Sequence, residues 1–193
     1  MAGPMLVVIS GPSGAGKDSV ADLLLASDPG LHRVVTMTTR PPRSGEVDGR
    51  DYHFVSDAEF QALVDTNGFV EHARVYDRRY GVPRKGIDQS LAAGQDTLAR
   101  VDVQGAATLK HLYPDALLIF IEPPSLDESS RRVEERNGDT QSSRRLRRET
   151  ATQEMEAATA FNYRVVNETG KLHETARRVA ELIAAEKRRR AAS

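Results

Sequence analysis

The sequence predicts an α/β fold in which a parallel sheet is covered by helices on both faces. Three observations carry this. Short apolar, β-branched runs alternate with helix-length stretches along 193 residues, the rhythm of repeated βα units. One run, Ala116 to Ile121, is apolar without interruption, as a parallel strand buried on both faces must be. The first run, Met5 to Ile9, leads into Gly11-Pro12-Ser13-Gly14-Ala15-Gly16-Lys17. That spacing fits G-x-x-x-x-G-K, the loop that joins a strand to a helix around a phosphate. The class is therefore the three-layer sandwich of P-loop nucleotide-binding proteins, with an inserted lobe and a lid.

The loop works by backbone geometry. Glycines let peptide N–H groups turn toward an anion, the helix N-terminus adds positive potential, and Lys17 supplies a mobile cation for the outer phosphates. Gly11 to Lys17, with Asp18 and Ser19, form the expected nucleotide-phosphate site, for ATP or GTP. One letter departs from the pattern. The position after the lysine should carry a hydroxyl that reaches a magnesium ion; here it is Asp18, followed by Ser19.

The elements follow in order. A helix is expected from Asp18 to Ser27 and a second strand from Leu31 to Thr36. Met37 to Tyr52 is rich in proline and glycine and reads as loop. Ser56-x-x-Glu59 is a capping box opening a helix to about Asn67. Phe69 to Val75 reads as strand, Tyr80-Gly81-Val82-Pro83 as a turn, and a helix runs on to about Ala93. Thr97 to Val103 is the next strand and Gly105 to Tyr113 the next helix. After the Ala116 strand, Ser125-x-x-Glu128 is a second capping box, for a helix to about Arg136. A further helix ends near Ala160, and Tyr163 to Val166 is a short strand. The last helix carries Leu172, Ala176, Val179 and Ile183 at helical spacing. The tail Lys187 to Ser193 reads as a frayed, solvated end. Residues 37–90 break the βα rhythm and look like an inserted lobe. The expected plan is one domain, with a core of 1–36, 95–124 and 161–190 and a lid of about 125–160.

Composition excludes several classes. A net charge of −1 gives no general pull toward nucleic acid or an anionic membrane. The absence of cysteine rules out disulfides and thiolate metal sites. Met5 to Ile9 lacks a basic flank and is too short for a signal or a membrane span. The expectation is a soluble cytoplasmic protein, monomeric or homodimeric. The five histidines show no metal-ligand spacing.

Arginines raise two readings. Arg40, Arg43 and Arg50 sit among turn residues ahead of the lobe, where planar guanidinium forks suit an acceptor phosphate. Arg131, Arg132, Arg136, Arg144, Arg145, Arg147 and Arg148 share their stretch with five acidic residues. They read equally as a salt-bridged helix pair or as a lid that closes on a transferring phosphoryl group.

Beyond the loop, Thr38-Thr39-Arg40-Pro41-Pro42-Arg43-Ser44-Gly45-Glu46-Val47-Asp48-Gly49-Arg50-Asp51-Tyr52-His53-Phe54-Val55 resembles the acceptor loop of the guanylate kinase family almost letter for letter. Phe69-Val70-Glu71-His72-Ala73, Tyr80-Gly81, Val101-Asp102-Val103-Gln104-Gly105-Ala106 and Pro123-Pro124-Ser125 follow in family order. The resemblance runs from about residue 5 to about residue 187. It implies transfer of a phosphoryl group from MgATP to GMP, with the 37–90 lobe binding GMP. It implies that Arg40, Arg43 and Tyr52 hold the GMP phosphate with Tyr80 beside it. Glu71 would accept from guanine N1–H and the 2-amino group, Asp102 would lie near the base, and Thr36 would stand near O6. Arg136 and Arg147, with Arg144, would be lid arginines joining Lys17 in catalysis, and Asn167 would lie near the adenine.

Three residues depart from the family. Asp18 replaces the hydroxyl, Arg100 replaces an acid at the end of its strand, and Val82 replaces a hydroxyl near the base. Asp18 and Arg100 are expected to sit close together. Asp18 would then supply oxygen to magnesium, directly or through water. Two other readings remain open. Gly16-Lys17-Asp18-Ser19 also resembles the loop of ribose 1,5-bisphosphate phosphokinase, a sugar-phosphate kinase. A non-catalytic guanylate-kinase-like binding module is the second.

Overall fold

The computed structural model describes residues 3–75, 77–137 and 152–192. Its core is one five-stranded sheet, in the order β2-β7-β1-β8-β9, with every pairing parallel. The strands are β1 (Leu6–Ser10), β2 (Leu31–Arg33), β7 (Asp96–Arg100), β8 (Leu117–Glu122) and β9 (Tyr163–Val166).

The two faces of the sheet follow from side-chain alternation along β1 and β8. Val7, Ile9, Ile119 and Ile121 point to one face and pack with α1 (Lys17–Ser27) and α7 (Leu172–Ala191). Leu6, Val8 and Leu118 point to the other and pack with Ile87 of α3 (Arg84–Ala92) and with Ala106 and Leu109 of α4 (Val103–Leu112). Val7, Val8 and Ile9 are fully buried. At roughly 1.5–3 kcal/mol for each such side chain, burial on both faces holds the central strand and the loop that follows it.

A second sheet of four strands, β4-β3-β6-β5, stands beside this core. It comprises β3 (Met37–Thr38), β4 (His53–Phe54), β5 (Phe69–Val75) and β6 (Arg78–Pro83). The capping box at Ser56 is present: its Oγ accepts from Glu59 N at 3.2 Å, and the Glu59 carboxylate accepts from Ser56 N at 2.8 Å. It opens α2 (Asp57–Asp65), whose Phe60 is fully buried and stacks on Phe69 with centroids 4.5 Å apart.

Several boundaries differ from the sequence expectation. Tyr80 to Pro83 is not a turn but the end of β6, paired with both β3 and β5. Gly81 is needed there for space rather than for a turn, because a Cβ would run into the Phe69 ring. The stretch expected to be loop opens with strand β3, and β2 ends at Arg33 rather than Thr36. Strand β7 stops at Arg100, since Asp102 caps α4 by accepting from Gly105 N at 2.8 Å. Helix α5 (Leu126–Asn137) opens with only half a capping box: Ser125 Oγ accepts from Glu128 N, while the Glu128 carboxylate turns to Arg131, Arg132 and Thr169.

The tail is not frayed either. Helix α7 continues to Ala191, because its basic residues have partners. Glu186 accepts from Arg189 and Arg190, each at 2.7 Å. Arg190 also donates to the Asp115 carbonyl at 2.6 Å, and Lys187 pairs with Asp96. Among the described residues, no helix is long and apolar enough to cross a membrane.

Candidate active site

The phosphate loop lies where β1 meets α1, at the C-terminal edge of the parallel sheet. Gly16 caps α1 with φ +84°, a left-handed conformation that favours glycine. Three consecutive loop carbonyls are held from outside. Ser129 Oγ donates to Ser13 O, Arg132 Nη1 to Gly14 O at 3.5 Å, and Asn167 Nδ2 to Ala15 O at 2.8 Å. Carbonyl and N–H point in opposite directions across a planar trans peptide. Pinning the Ser13 and Ala15 carbonyls therefore turns the Gly14 and Gly16 N–H groups the other way, which is the orientation an anion needs. Asn167 is itself buried, and its Oδ1 accepts from Thr175 Oγ1 at 3.1 Å. The structure thus gives the Asn167 side chain a partner in the loop backbone, where adenine contact was expected.

Lys17 follows. Burial lowers its pKa below the ordinary lysine value; the carboxylates of Asp18, Glu154 and Asp102 oppose this and Arg100 adds to it. Glu154 comes from the helical residues 152–157, here α6. Neither it nor Ser129 carries a recognisable motif.

The loop between β3 and β4 is held together around Arg40 and Glu46. The Arg40 guanidinium pairs with Glu46 at 2.8 Å and lies 5.3 Å from the centroid of the Tyr52 ring. Tyr52 meets Tyr80 edge-on, with ring centroids 6.2 Å apart. Glu46 also accepts from Arg43 N at 2.7 Å, which fixes the loop between the two arginines. Glu46 is thus the organiser of this loop, although it stood out in the sequence only as part of the matching block.

Glu71 sits on β5 just after a register shift between Phe69 and Glu71. Such a bulge re-aims the side chains beyond it. Its carboxyl fills the space where a Cβ on Gly105 would lie, and Val82 is its cross-strand neighbour. Burial, then the neighbouring Asp102 carboxylate, push the Glu71 pKa up to about 8. Burial and the Asp102 carboxylate thus favour the protonated form of the Glu71 carboxyl.

One cavity of about 620 Å³ joins these parts. Lys17, Asp18 and Arg100 line it together with Thr36, Tyr52, Tyr80, Glu71, Val82 and Asp102. Arg40, which lies against the Tyr52 ring, and Arg43 are not among the residues that line this cavity. Asp18 and Arg100 form the expected ion pair, at 2.8 Å. Of the lid arginines, Arg136 lies on α5, and Arg144 and Arg147 lie outside the described residues. Arg131 and Arg132 pair with Glu128 at 2.7 and 3.0 Å.

The donor set suits a nucleotide-bound magnesium ion. Asp18 offers a carboxylate beside Lys17, and magnesium needs only one or two such ligands once phosphates and water complete its shell. A closed protein cage is not what the site offers: the described residues contain no group of three or more His, Cys, Asp or Glu able to hold a metal.

Comparison with known proteins gives a consistent result. The sequence model of the guanylate kinase family matches residues 4–186. Guanylate kinase of Caldanaerobacter subterraneus subsp. tengcongensis is 38% identical over 164 residues, 85% of this chain and 80% of that protein. That of Gloeobacter violaceus is 42% identical over 163 residues, 84% of this chain and 80% of that protein. The crystal structure of guanylate kinase from Anaplasma phagocytophilum superposes with a TM-score of 0.73 at 34% identity, over 96% of this chain and 87% of that one.

Proposed function

We infer the reaction from one premise: the chain belongs to the guanylate kinase family. We propose that it transfers the γ-phosphoryl group of ATP to the phosphate of GMP, in the cytoplasm, giving ADP and GDP. The observation that supports this reading is the shared cavity, whose lining includes Glu71, Tyr52 and Tyr80 as well as Lys17 and Asp18.

The Glu71 carboxylate suits guanine because its two oxygens can accept from N1–H and the 2-amino group together. Adenine offers no such pair of donors. Thr36 stands in the same wall and is suited to O6; Asp102 backs Glu71. Tyr52, Tyr80, Arg40 and Arg43 would hold the acceptor phosphate. That phosphate needs no general base, since its second pKa is about 6 and it is largely dianionic at neutral pH. Catalysis is then positioning and charge stabilisation around a loose transition state. The loop N–H groups and Lys17 hold the donor phosphates, Asn167 keeps the loop in shape, and Arg136 and Arg147 would close from the lid. Magnesium, held through Asp18 directly or by way of water, would neutralise charge on the donor phosphates.

The test is ADP release from MgATP with GMP, AMP, ribose bisphosphate or no acceptor. The expected outcome is strong dependence on GMP. Comparable turnover of AMP would refute guanine selection by Glu71, and turnover of ribose bisphosphate alone would favour a sugar-phosphate kinase.

A further inference from the structure

The proposed transfer reaction leaves Arg100 without a role. This arginine ends β7 in register with Ile9 of β1, immediately beside the phosphate loop. Its side chain is 36% exposed and, among the described residues, its partner is Asp18. A guanidinium carries five donors in a fixed fork, so one carboxylate oxygen leaves most of them open to the cavity. Arg100 lines that cavity together with Lys17. It also lines a small adjoining cavity with Thr36, Asp51 and Tyr52. It therefore stands between the lysine that reaches the outer donor phosphates and the residues placed around the acceptor phosphate. Its charge is already felt at Lys17. A structural ion pair could be put on any surface; this one puts a fork suited to phosphate at the point where two phosphates must meet.

We propose that Arg100 is a phosphate-binding residue of the transfer site, whose guanidinium passes from the Asp18 carboxylate to the terminal phosphate of the donor when that phosphate binds, which frees Asp18 for the metal. This rests on the kinase reading of the site. It makes the Asp18–Arg100 pair a latch between nucleotide and metal binding: while Asp18 holds Arg100, neither side chain is fully available to its ligand.

Calorimetric binding of ATP and ADP in excess EDTA tests the idea without metal, acceptor or turnover. Arg100→Met should weaken ATP binding about tenfold or more and leave ADP binding within twofold. Asp18→Asn, which releases Arg100, should tighten ATP binding several-fold, and that gain should vanish in the double variant. Arg100→Lys should fall between Arg100→Met and the unaltered protein, since it keeps the charge but loses the fork. An ATP-to-ADP affinity ratio that is the same in all five proteins would overturn the proposal, as would a gain from Asp18→Asn that persists without Arg100. If Arg100→Met fails to fold, the Asp18→Asn and Arg100→Lys arms decide by the same ratio. Failure of GMP-dependent turnover in the unaltered protein would count against the proposed reaction and leave this result standing on its own.

Discussion

At the scale of single residues the site depends on where a proton sits. In the role proposed for it, Glu71 would have to lose its proton to accept two donors from guanine, and burial with Asp102 beside it raises its pKa to about 8. The ionised form increases as pH rises, so KM for GMP should fall between pH 6 and 8.5 and then level off, while KM for ATP stays flat. Glu71→Gln should abolish that dependence and cost about 10- to 150-fold in kcat/KM for GMP, the value of a charge-assisted hydrogen bond of about 1.5–3 kcal/mol. Gly105 makes a sharper probe. Gly105→Ala would place a methyl group where the Glu71 carboxyl lies, so GMP binding should weaken while calorimetric affinity for ATP is unchanged. Loss of both affinities together would mean that α4 as a whole had shifted.

At the scale of elements, the phosphate loop is shaped by segments distant in sequence. The buried Ser129 hydroxyl and the Asn167 amide reach it from α5 and from the turn after β9. Ser129→Ala should weaken ATP binding by about 1 kcal/mol, seen as a rise in KM for ATP of roughly fivefold with KM for GMP little changed. Asn167→Ala should cost more, about 1–3 kcal/mol, because it strands the carbonyl of buried Ala15, and it should lower the melting temperature as well. These contacts were not legible in the sequence. A serine in a polar helix has no periodicity to mark it, and its partner is 116 positions away. The phosphate loop itself was legible because its chemistry is local, set by glycine spacing and a lysine. The Asp18–Arg100 pair was legible only through two departures from a pattern that compensate each other in charge. Strand β6 was misread because Tyr80-Gly81-Val82-Pro83 has turn composition; its glycine and proline serve packing against Phe69 and the end of a strand.

At the scale of the whole molecule, the two ends of the chain are tied together. Asp96 accepts from Met5 N at 2.8 Å and pairs with Lys187, joining the start of β1 to the end of α7 through the edge of β7. Removing residues 187–193 should lower the melting temperature by about 2–4 °C for each kcal/mol lost; an unchanged melting curve would contradict this tie. Acid should act on the same region. Arg189 and Arg190 hold Glu186 down to about 2, and Arg131 and Thr169 do so for Glu128. A carboxylate depressed in the folded state contributes stability that is complete above its ordinary value near 4.5 and disappears as pH falls toward 2. Glu186→Gln should therefore narrow the difference in stability between pH 5 and pH 2.5, measured by denaturant unfolding at each pH.

The four-stranded sheet has a further implication. All of its strands come from one unbroken stretch, Met37 to Pro83, entered after β2 and left at α3. Most of the residues proposed to hold the acceptor, Arg40 to Val82, are encoded within it, whereas Thr36, Asp102, Lys17, Asp18 and Arg100 lie outside. On the proposed function, choice of acceptor is thus largely a cassette. It could be exchanged by a single insertion event, in evolution or at the bench, while the apparatus that handles the donor stays in place.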